Sequence, residues 1–382
     1  MHIGFITSEY PHPRVKHAAG IATSIKNLAM ALVKKGVDVT VFVYHQDKSE
    51  VLCDGDIEIH LIQSKQFKLA TWYFYRKHIQ KYVNKVVNDK KINLLEAADW
   101  TGVTAFMNFK IPLIIRFHGS DAYFCKLEDR KQKFKNFIFE KLALKKAKAY
   151  VAPTTYAGLE TQKIFQLDKQ KIKTIHYGLQ LENFENKTPK IYNKNTILYI
   201  GTIIRKKGVL ELAEIFNKVI KENPKAQLIL IGNDSPDIIT KGRSTYQLMQ
   251  NIFSDEAKEH VRYLGKIPYN EVKKHIKNAH VCVYPSFAET LGMVTIESMA
   301  MQKSVVNTSI GWAQELIDNG VNGYLVHPTN IDGYFEKILK LLNDEKLCLQ
   351  IGEAARQKVE TLFDIDKNAE INIDYYKSIL KE

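Results

Sequence analysis

Two rounds of one alternation fill this sequence, and they set the fold class before any single residue is weighed. In each round, short β-branched apolar runs are separated by longer segments of helical period, the pattern of βαβ units on parallel sheets. The first round reads "HIGFIT", "VDVTVFVY", "IEIHLI", "INLLEA", "PLIIRFH" and "AYVAP", with helical stretches around residues 20–35, 69–89, 131–148 and 156–166. Residues 183–195, "NFENKTPKIYNKN", are polar, carry a proline and break the alternation. It then restarts with "TILYIG", "AQLILIG", "VRYLG", "HVCVYPS", "SVVNT" and "GYLVHP", and from about residue 331 onward it is helical. A chain of 382 residues is also too long for one ordinary core. The expectation is an α/β protein of two doubly wound, Rossmann-like domains: 1–182, a linker over 183–195, then 196–360. A last helix over 361–382 is expected to cross back to the first domain. Sheets of this kind place ligands outside the carboxyl ends of their strands, so a cleft between the two sets of ends is expected.

Composition narrows the classes. Hydrophobic residues make up 45% of the chain, a normal globular share. No apolar run approaches the ~18 residues of a membrane span. The opening "MHIGFITSEY" reads as a buried strand and lacks the basic and long apolar regions of a signal peptide. Cys53, Cys125, Cys282 and Cys348 are far apart and without metal-ligand spacing, which suits free thiols in a reducing cytoplasm. The net charge of +13 is localised: residues 1–190 hold 31 Lys and Arg against 18 Asp and Glu, whereas residues 191–382 hold 24 of each. A basic first half suits an anionic partner or a lysine-rich solvated surface. No nucleic-acid-binding motif accompanies the charge, so nucleic acid is not expected.

Chemistry-bearing residues gather where strands meet helices. In "LYIGTIIRKKGVLELAEIF" a strand ends at Gly201, a loop carries Arg205, Lys206 and Lys207, and a helix begins at Gly208. Backbone N–H groups and the dipole of a helix start favour an anion, and these cations suit a diphosphate. The order of residues is not that of a P-loop. In the first domain, Gly20 lies where the first helix begins and allows a ligand close to the backbone. In "PSFAETLGMVTIESMA", a strand runs into Pro285-Ser286 and a helix starts near Gly292 and Met293. Glu289 then sits in the loop and Glu297 about one turn into the helix. Carboxylates at these places suit sugar hydroxyls and vicinal ribose hydroxyls respectively, with phosphates on the N–H groups between them. A surface Glu297 in a salt bridge is the plain alternative, since two glutamates at this spacing occur by chance.

Taken together, "PSFAETLGMVTIESMA", "GTIIRKKG", "LILIGND", "VRYLGKIP", "GWAQELIDNGVNGYLV" and "IIRFHGSD" resemble, in order and over nearly the whole length, glycosyltransferase family 4, the retaining group with the GT-B fold. The resemblance implies a nucleotide diphosphate-sugar donor, UDP- or GDP-linked, bound mainly by the second domain, and an acceptor bound by the first. It implies Arg205 and Lys207 on the donor diphosphate, Glu297 on the ribose, Glu289 and His118 near the donor sugar, and Gly20, Leu291, Gly292, Met293 and Val294 lining the donor. It also implies that His118, Glu289, Arg205 and Lys207 form the catalytic set. No cofactor is implied beyond the donor, and the resemblance implies Arg205, Lys207 and helix dipoles rather than a divalent metal on the leaving group. Four features depart from the family pattern: Ala19-Gly20 replaces a glycine pair, Thr202 replaces an arginine and leaves that charge to Arg205, "IHYGLQ" carries Tyr177 and Gln180, and "MQKSVV" lacks the usual glycine and proline. The other readings are a nucleotide-sugar 2-epimerase of the same architecture and a non-catalytic nucleotide-sugar-binding protein.

A last expectation concerns the basic half. Over residues 67–86, Trp72, Tyr75, Ile79, Tyr82, Val83 and Val86 form one helical stripe, with Lys77, Lys81 and Lys85 opposite. Packing of that stripe on the sheet leaves the lysine face outward, beside the cations of residues 126–150. A peripheral contact with the anionic inner leaflet would bring a saccharide or lipid-linked acceptor of a cell-surface glycan pathway to the first domain.

Overall fold

Each apolar run read from the sequence is a strand. The computed structural model describes residues 1–18 and 20–381, and the chain divides into two units, Met1–Gln180 with Asp364–Glu382, and Leu181–Phe363. The first unit holds β1 (His2–Thr7), β2 (Asp38–Gln46), β3 (Glu50–Asp54), β4 (Ile57–Gln63), β5 (Leu94–Ala98), β6 (Leu113–Arg116), β7 (Ala149–Ala152) and β8 (Ile172–Thr174). Their order across the sheet is β3-β4-β2-β1-β5-β6-β7-β8. Neighbours run parallel except in the β3–β4 hairpin. Strands β3 and β8, which the sequence reading omits, are the two edges, short and only partly buried.

The second unit holds β9 (Thr196–Ile200), β10 (Gln227–Ile231), β11 (Val261–Tyr263), β12 (Val281–Tyr284), β13 (Ser304–Thr308) and β14 (Tyr324–Val326), ordered β11-β10-β9-β12-β13-β14 and all parallel. The chain winds outward from β9 through β10 to β11, then returns to β12 on the other side of β9. The loops after β9 and β12 therefore lie side by side at the point where the winding reverses, the position such sheets use for ligands.

Packing follows helical periodicity. The helix Gly20–Lys34 buries Ala22, Ile25, Leu28, Ala29, Ala31 and Leu32, and the last helix, Ile365–Lys381, adds Ala369, Tyr376 and Ile379 to the same core. Beneath it, Arg116 and Glu96 form a buried pair with Nε to Oε1 at 2.6 Å. Arg116 also donates to Asn372 (2.6 Å), and the Tyr376 hydroxyl donates to Glu96 (2.7 Å). A buried ion pair holds only when its remaining hydrogen-bonding positions are filled, and the last helix fills them.

On the opposite face, the helix Thr71–Lys90 buries Tyr75, Ile79, Val83, Val86 and Val87. The expected stripe is corrected at its start. Trp72 lies in the first turn, stays 40% exposed and packs instead on Phe106 and Phe139, with ring centroids at 5.5 and 5.1 Å. Lys77 also departs from the outward lysine face. Its ammonium turns back onto the Phe106 carbonyl at 2.5 Å, which the left-handed Phe106 (φ 65°) presents to the helix. Lys81 and Lys85 are exposed.

Residues 183–195 are pinned rather than loose. Phe184 and Asn186 are buried, Asn186 donates to the Met301 carbonyl, and Arg356 donates to that of Phe184. Among the described residues, no helix is long and apolar enough to cross a membrane.

Candidate active site

The two loops at the switch point of the second sheet are locked together by close backbone contact. Gly208 sits at φ +68°, and a Cβ there would come within 1.9 Å of the Pro285 carbonyl oxygen. Only glycine meets both the dihedral and the space. Two residues on, the Phe287 N–H donates to the Lys206 carbonyl at 2.8 Å. This seam sets Lys207 against Glu289, ammonium to carboxylate. The pair lines a small recess with Gly292, Thr295, Asn307 and Trp312. Gly292, left-handed at φ +91°, turns the chain into the helix Met293–Ala300. That helix is buried from Thr295 onward, while Gly292, Met293 and Val294 remain partly accessible. The Met293 and Val294 N–H groups have no intrahelical acceptor and favour an anion, whereas that of Thr295 donates to the Gly292 carbonyl at 3.0 Å. Burial pulls the Lys207 ammonium down to about 7, and Lys206 pushes it the same way. The touching Glu289 carboxylate opposes that shift, and a bound phosphate would favour the charged form further.

Arg205 and Glu297 stand in different surroundings. The Arg205 guanidinium is engaged by Asp237 in a fork, Nε to Oδ1 at 2.8 Å and Nη2 to Oδ2 at 3.0 Å. These bonds hold the Asp237 carboxyl well below the usual carboxylate range. Glu297 is buried in its helix, and one oxygen accepts the Tyr269 hydroxyl at 2.5 Å. The other has no partner among the described residues. Burial pushes Glu297 up to about 7, with Tyr269 and Lys273 pulling the other way.

In the first unit, His118 follows β6, and its N–H donates to Asp99 at 2.8 Å. Its ring stacks on Tyr177, with Nδ1 2.7 Å from the hydroxyl, which also lies 3.0 Å from the Phe117 carbonyl. If the Tyr177 hydroxyl gives its hydrogen to that carbonyl, His118 carries its proton on Nδ1 and exposes a lone pair on Nε2. If it gives the hydrogen to Nδ1, Nε2 is the donor. Either way the ring is neutral, because burial and the nearby Arg116 charge pull His118 down to about 3. Asp99 is buried, and burial pushes it up to about 7.

Two family models match adjoining stretches, Glycosyltransferase Family 4 over residues 18–183 and Glycosyl transferases group 1 over residues 181–358. The chain belongs to this glycosyltransferase family. It is 28% identical over 232 residues to the capsular polysaccharide biosynthesis glycosyltransferase CapM of Staphylococcus aureus, covering 59% of this chain and 54% of that one. Its fold is GT-B. It matches sucrose-phosphate synthase from Thermosynechococcus elongatus with a TM-score of 0.83 at 19% identity, covering 100% and 99% of the two chains. It also matches the Anabaena protein HepE, solved with UDP, with a TM-score of 0.74 at 17% identity, covering 99% and 100%.

In this glycosyltransferase the second unit brings Lys207, Glu289, Gly292 and Val294 to one recess, with Met293 beside them in the first turn and Leu291 buried just before it. Arg205 adjoins them in sequence, but its fork is held by Asp237. Glu297 does not line the recess and instead lies under Tyr269. Gly20 opens the first helix, exposed and with open space around it; Ala19 lies outside the described residues. The sequence reading does not single out Asp237, Tyr269, Asn307, Trp312 or Asp99. The quoted "GWAQEL" contains Trp312, but nothing local marks Asp237 or Tyr269, because each meets its partner only through the fold. Among the described residues, no group of three or more His, Cys, Asp or Glu is placed to hold a metal ion.

Proposed function

We propose that this glycosyltransferase moves a sugar from a nucleotide diphosphate-sugar, UDP- or GDP-linked, to a saccharide or lipid-linked acceptor in the synthesis of a surface polysaccharide. It does so with retention and without a metal or other cofactor. The observation that carries the reading is the Lys207–Glu289 recess at the start of the helix Met293–Ala300, at the switch point of a parallel sheet. The UDP in the Anabaena neighbour and the capsular role of the Staphylococcus relative support the donor class and the pathway. Lys207 and the free N–H groups of the helix start hold the diphosphate, and Arg205 adds positive potential from its place beside Asp237. Glu297 takes the ribose and Glu289 the donor sugar. His118, kept neutral, offers a hydrogen-bonding nitrogen to a sugar hydroxyl.

In the transfer step, the bond from the sugar C1 to the β-phosphate oxygen breaks and the acceptor oxygen bonds to C1 on the same face. The acceptor's proton goes to the departing diphosphate. Charge grows on that leaving group, where Lys207 and the helix start stabilise it. Titration calorimetry with UDP, GDP and ADP, followed by donor turnover with and without EDTA, tests this reading. Binding of one nucleotide and EDTA-insensitive turnover are expected. No binding of any of the three refutes the donor assignment, and loss of turnover in EDTA refutes metal independence.

We also propose that the first unit contacts an anionic membrane surface in the cytoplasm. Leu69, Phe74 and Phe134 are exposed there among lysines. Co-sedimentation with anionic but not neutral vesicles, lost at high salt, is expected; indifference to anionic vesicles at low salt overturns it.

A further inference from the structure

At the carboxyl end of the first sheet, a cavity of about 310 Å³ is lined by Tyr44, His45, Trp72, Tyr75, Arg76 and Thr101. The nucleotide-binding recess lies in the other unit and does not share these residues. The volume is at the lower end of the roughly 300–1,000 Å³ of small-molecule sites. Two features of its wall are unusual.

The first is a guanidinium with no acid beside it, stacked on the Phe139 ring with Cζ 4.4 Å from the centroid. Arg76 donates to the carbonyls of Trp72 (2.8 Å), Thr101 (3.3 Å) and Gly102 (3.4 Å). Those bonds leave part of its five-donor fork unused. Its Nε is buried and has no acceptor among the described residues, nor does any carboxylate there pair with the guanidinium. Burial lowers its pKa, as expected for a cation with no acid beside it. Other nearby charges do not offset it: His45 is held below its ordinary value by burial, then by Arg76 and Lys16. Buried charges are normally paired, and one that is not is costly.

The second is strain. His45 (φ 62°), Ala70 (47°), Thr101 (57°) and Phe106 (65°) are all left-handed without being glycine. His45 and Thr101 line the cavity, and Ala70 precedes the helix that carries Trp72 and Arg76. For a β-branched residue such as Thr101 this conformation is an outlier. It is kept by the Arg76 clamp on one side and by Gly102 pressed on the Phe139 backbone on the other; a Cβ at Gly102 would come within 2.4 Å of it. Strain gathered around one cavity marks a surface shaped for a ligand.

We propose that this cavity is an acceptor subsite for an anionic saccharide, a sugar bearing a carboxylate or a phosphate. Its charged group takes the N–H that Arg76 Nη1 does not give to the Trp72 carbonyl, and the apolar face of its ring lies on the exposed side of Trp72. The word acceptor rests on the transfer reading above; the cavity and its charge do not. A charge-assisted guanidinium bond is among the strong ones, so removing it should cost about tenfold or more in affinity.

The test is saturation-transfer NMR on the full chain, kept in saturating UDP so that the donor site is filled, with glucuronate, glucose 6-phosphate and glucose as observed probes and inorganic phosphate as a competitor against glucose 6-phosphate. Glucuronate and glucose 6-phosphate should bind about tenfold or more tightly than glucose. Arg76→Gln should erase that preference without changing UDP affinity. Trp72→Ala, which leaves the Arg76 clamp intact, should weaken all the sugars together. Equal binding of glucose and glucuronate, inorganic phosphate binding as tightly as glucose 6-phosphate, or an undiminished preference in folded Arg76→Gln overturns the proposal. Preference for the anionic sugars without UDP binding upholds the subsite and refutes the donor reading; UDP binding without that preference does the reverse.

Discussion

Replacing Gly208 by alanine isolates how the donor recess is assembled. The added methyl meets two costs. The first is the left-handed backbone at φ +68°, about 1–2 kcal/mol for a residue with a Cβ. The second is the Pro285 carbonyl oxygen, 1.9 Å from the new atom, where real contacts of this kind do not fall below 3.0 Å. The two loops must therefore part by about 1 Å, a displacement of reacting groups that can cost on the order of 10²-fold in rate. Gly265 supplies the control: it has nearly the same dihedral, φ +65°, with nothing within 4 Å of its Cβ position. Gly265→Ala should lose only the strain, with unchanged donor binding. Gly208→Ala should lose about 2–5 kcal/mol, or roughly 2–4 °C per kcal/mol for a unit of this size. UDP affinity should fall about tenfold, and turnover about a hundredfold. Thermal unfolding with and without UDP, alongside donor turnover, measures all three. If the two alanine variants behave alike, the seam does not position Lys207 against Glu289 and the account of the recess is wrong.

Three further outcomes follow from the same geometry. Lys207→Ala should weaken nucleoside diphosphate binding by roughly 1.5–3 kcal/mol and lower turnover at least about tenfold; calorimetry showing unchanged affinity in the folded variant removes Lys207 from the diphosphate. Glu297→Ala should weaken binding of the bare nucleotide, while Glu289→Ala should leave it nearly intact and reduce turnover; titration of both variants with UDP decides, and the opposite pattern means that the two ends of the donor are reversed. Burial raises Glu297 from 4.5 to about 7, so between those values the unfolded chain has released a proton that the folded chain still holds, and stability falls as pH rises. Up to about 3 kcal/mol is involved. Glu297→Gln should lack that part of the fall between pH 5 and 8, and parallel melting curves across that range would expose the error if parent and variant track each other.

The parts legible in the sequence are those set by near neighbours. The buried strands show as apolar runs because both of their faces are covered, as in β2 and β12. Gly208 and Gly292 stand out because a special dihedral demands them. Strand β3, "EVLCD", escapes because an edge strand alternates in burial and is half polar, although the Asp54-Gly55 step that follows is a hairpin signal. What remains hidden depends on partners far along the chain. Arg205 reads as a free cation until β10 brings Asp237 to it, 32 residues on. Glu297 reads as turned to the same ligand as Glu289, and only the fold shows Tyr269 lying on it. Arg76 looks like one more surface cation on a basic helix, and only the fold shows that no acid attends it.

The last helix has a consequence for how the chain is made. Residues 365–381 complete the core of the first unit, yet all of Leu181–Phe363 is translated between the two parts. At ~5–20 residues per second, that interval lasts on the order of 10–40 s. Throughout it the first sheet has left the ribosome without Asn372 and Tyr376, so Arg116 and Glu96 lack the groups that satisfy them in the finished protein. The N-terminal half therefore waits for the part of its apolar face that Ala369, Tyr376 and Ile379 cover, open there to chaperones or misassembly, while the second unit can close on itself first. Vectorial synthesis thus inverts the order of maturation: the part of the chain made first is the part finished last.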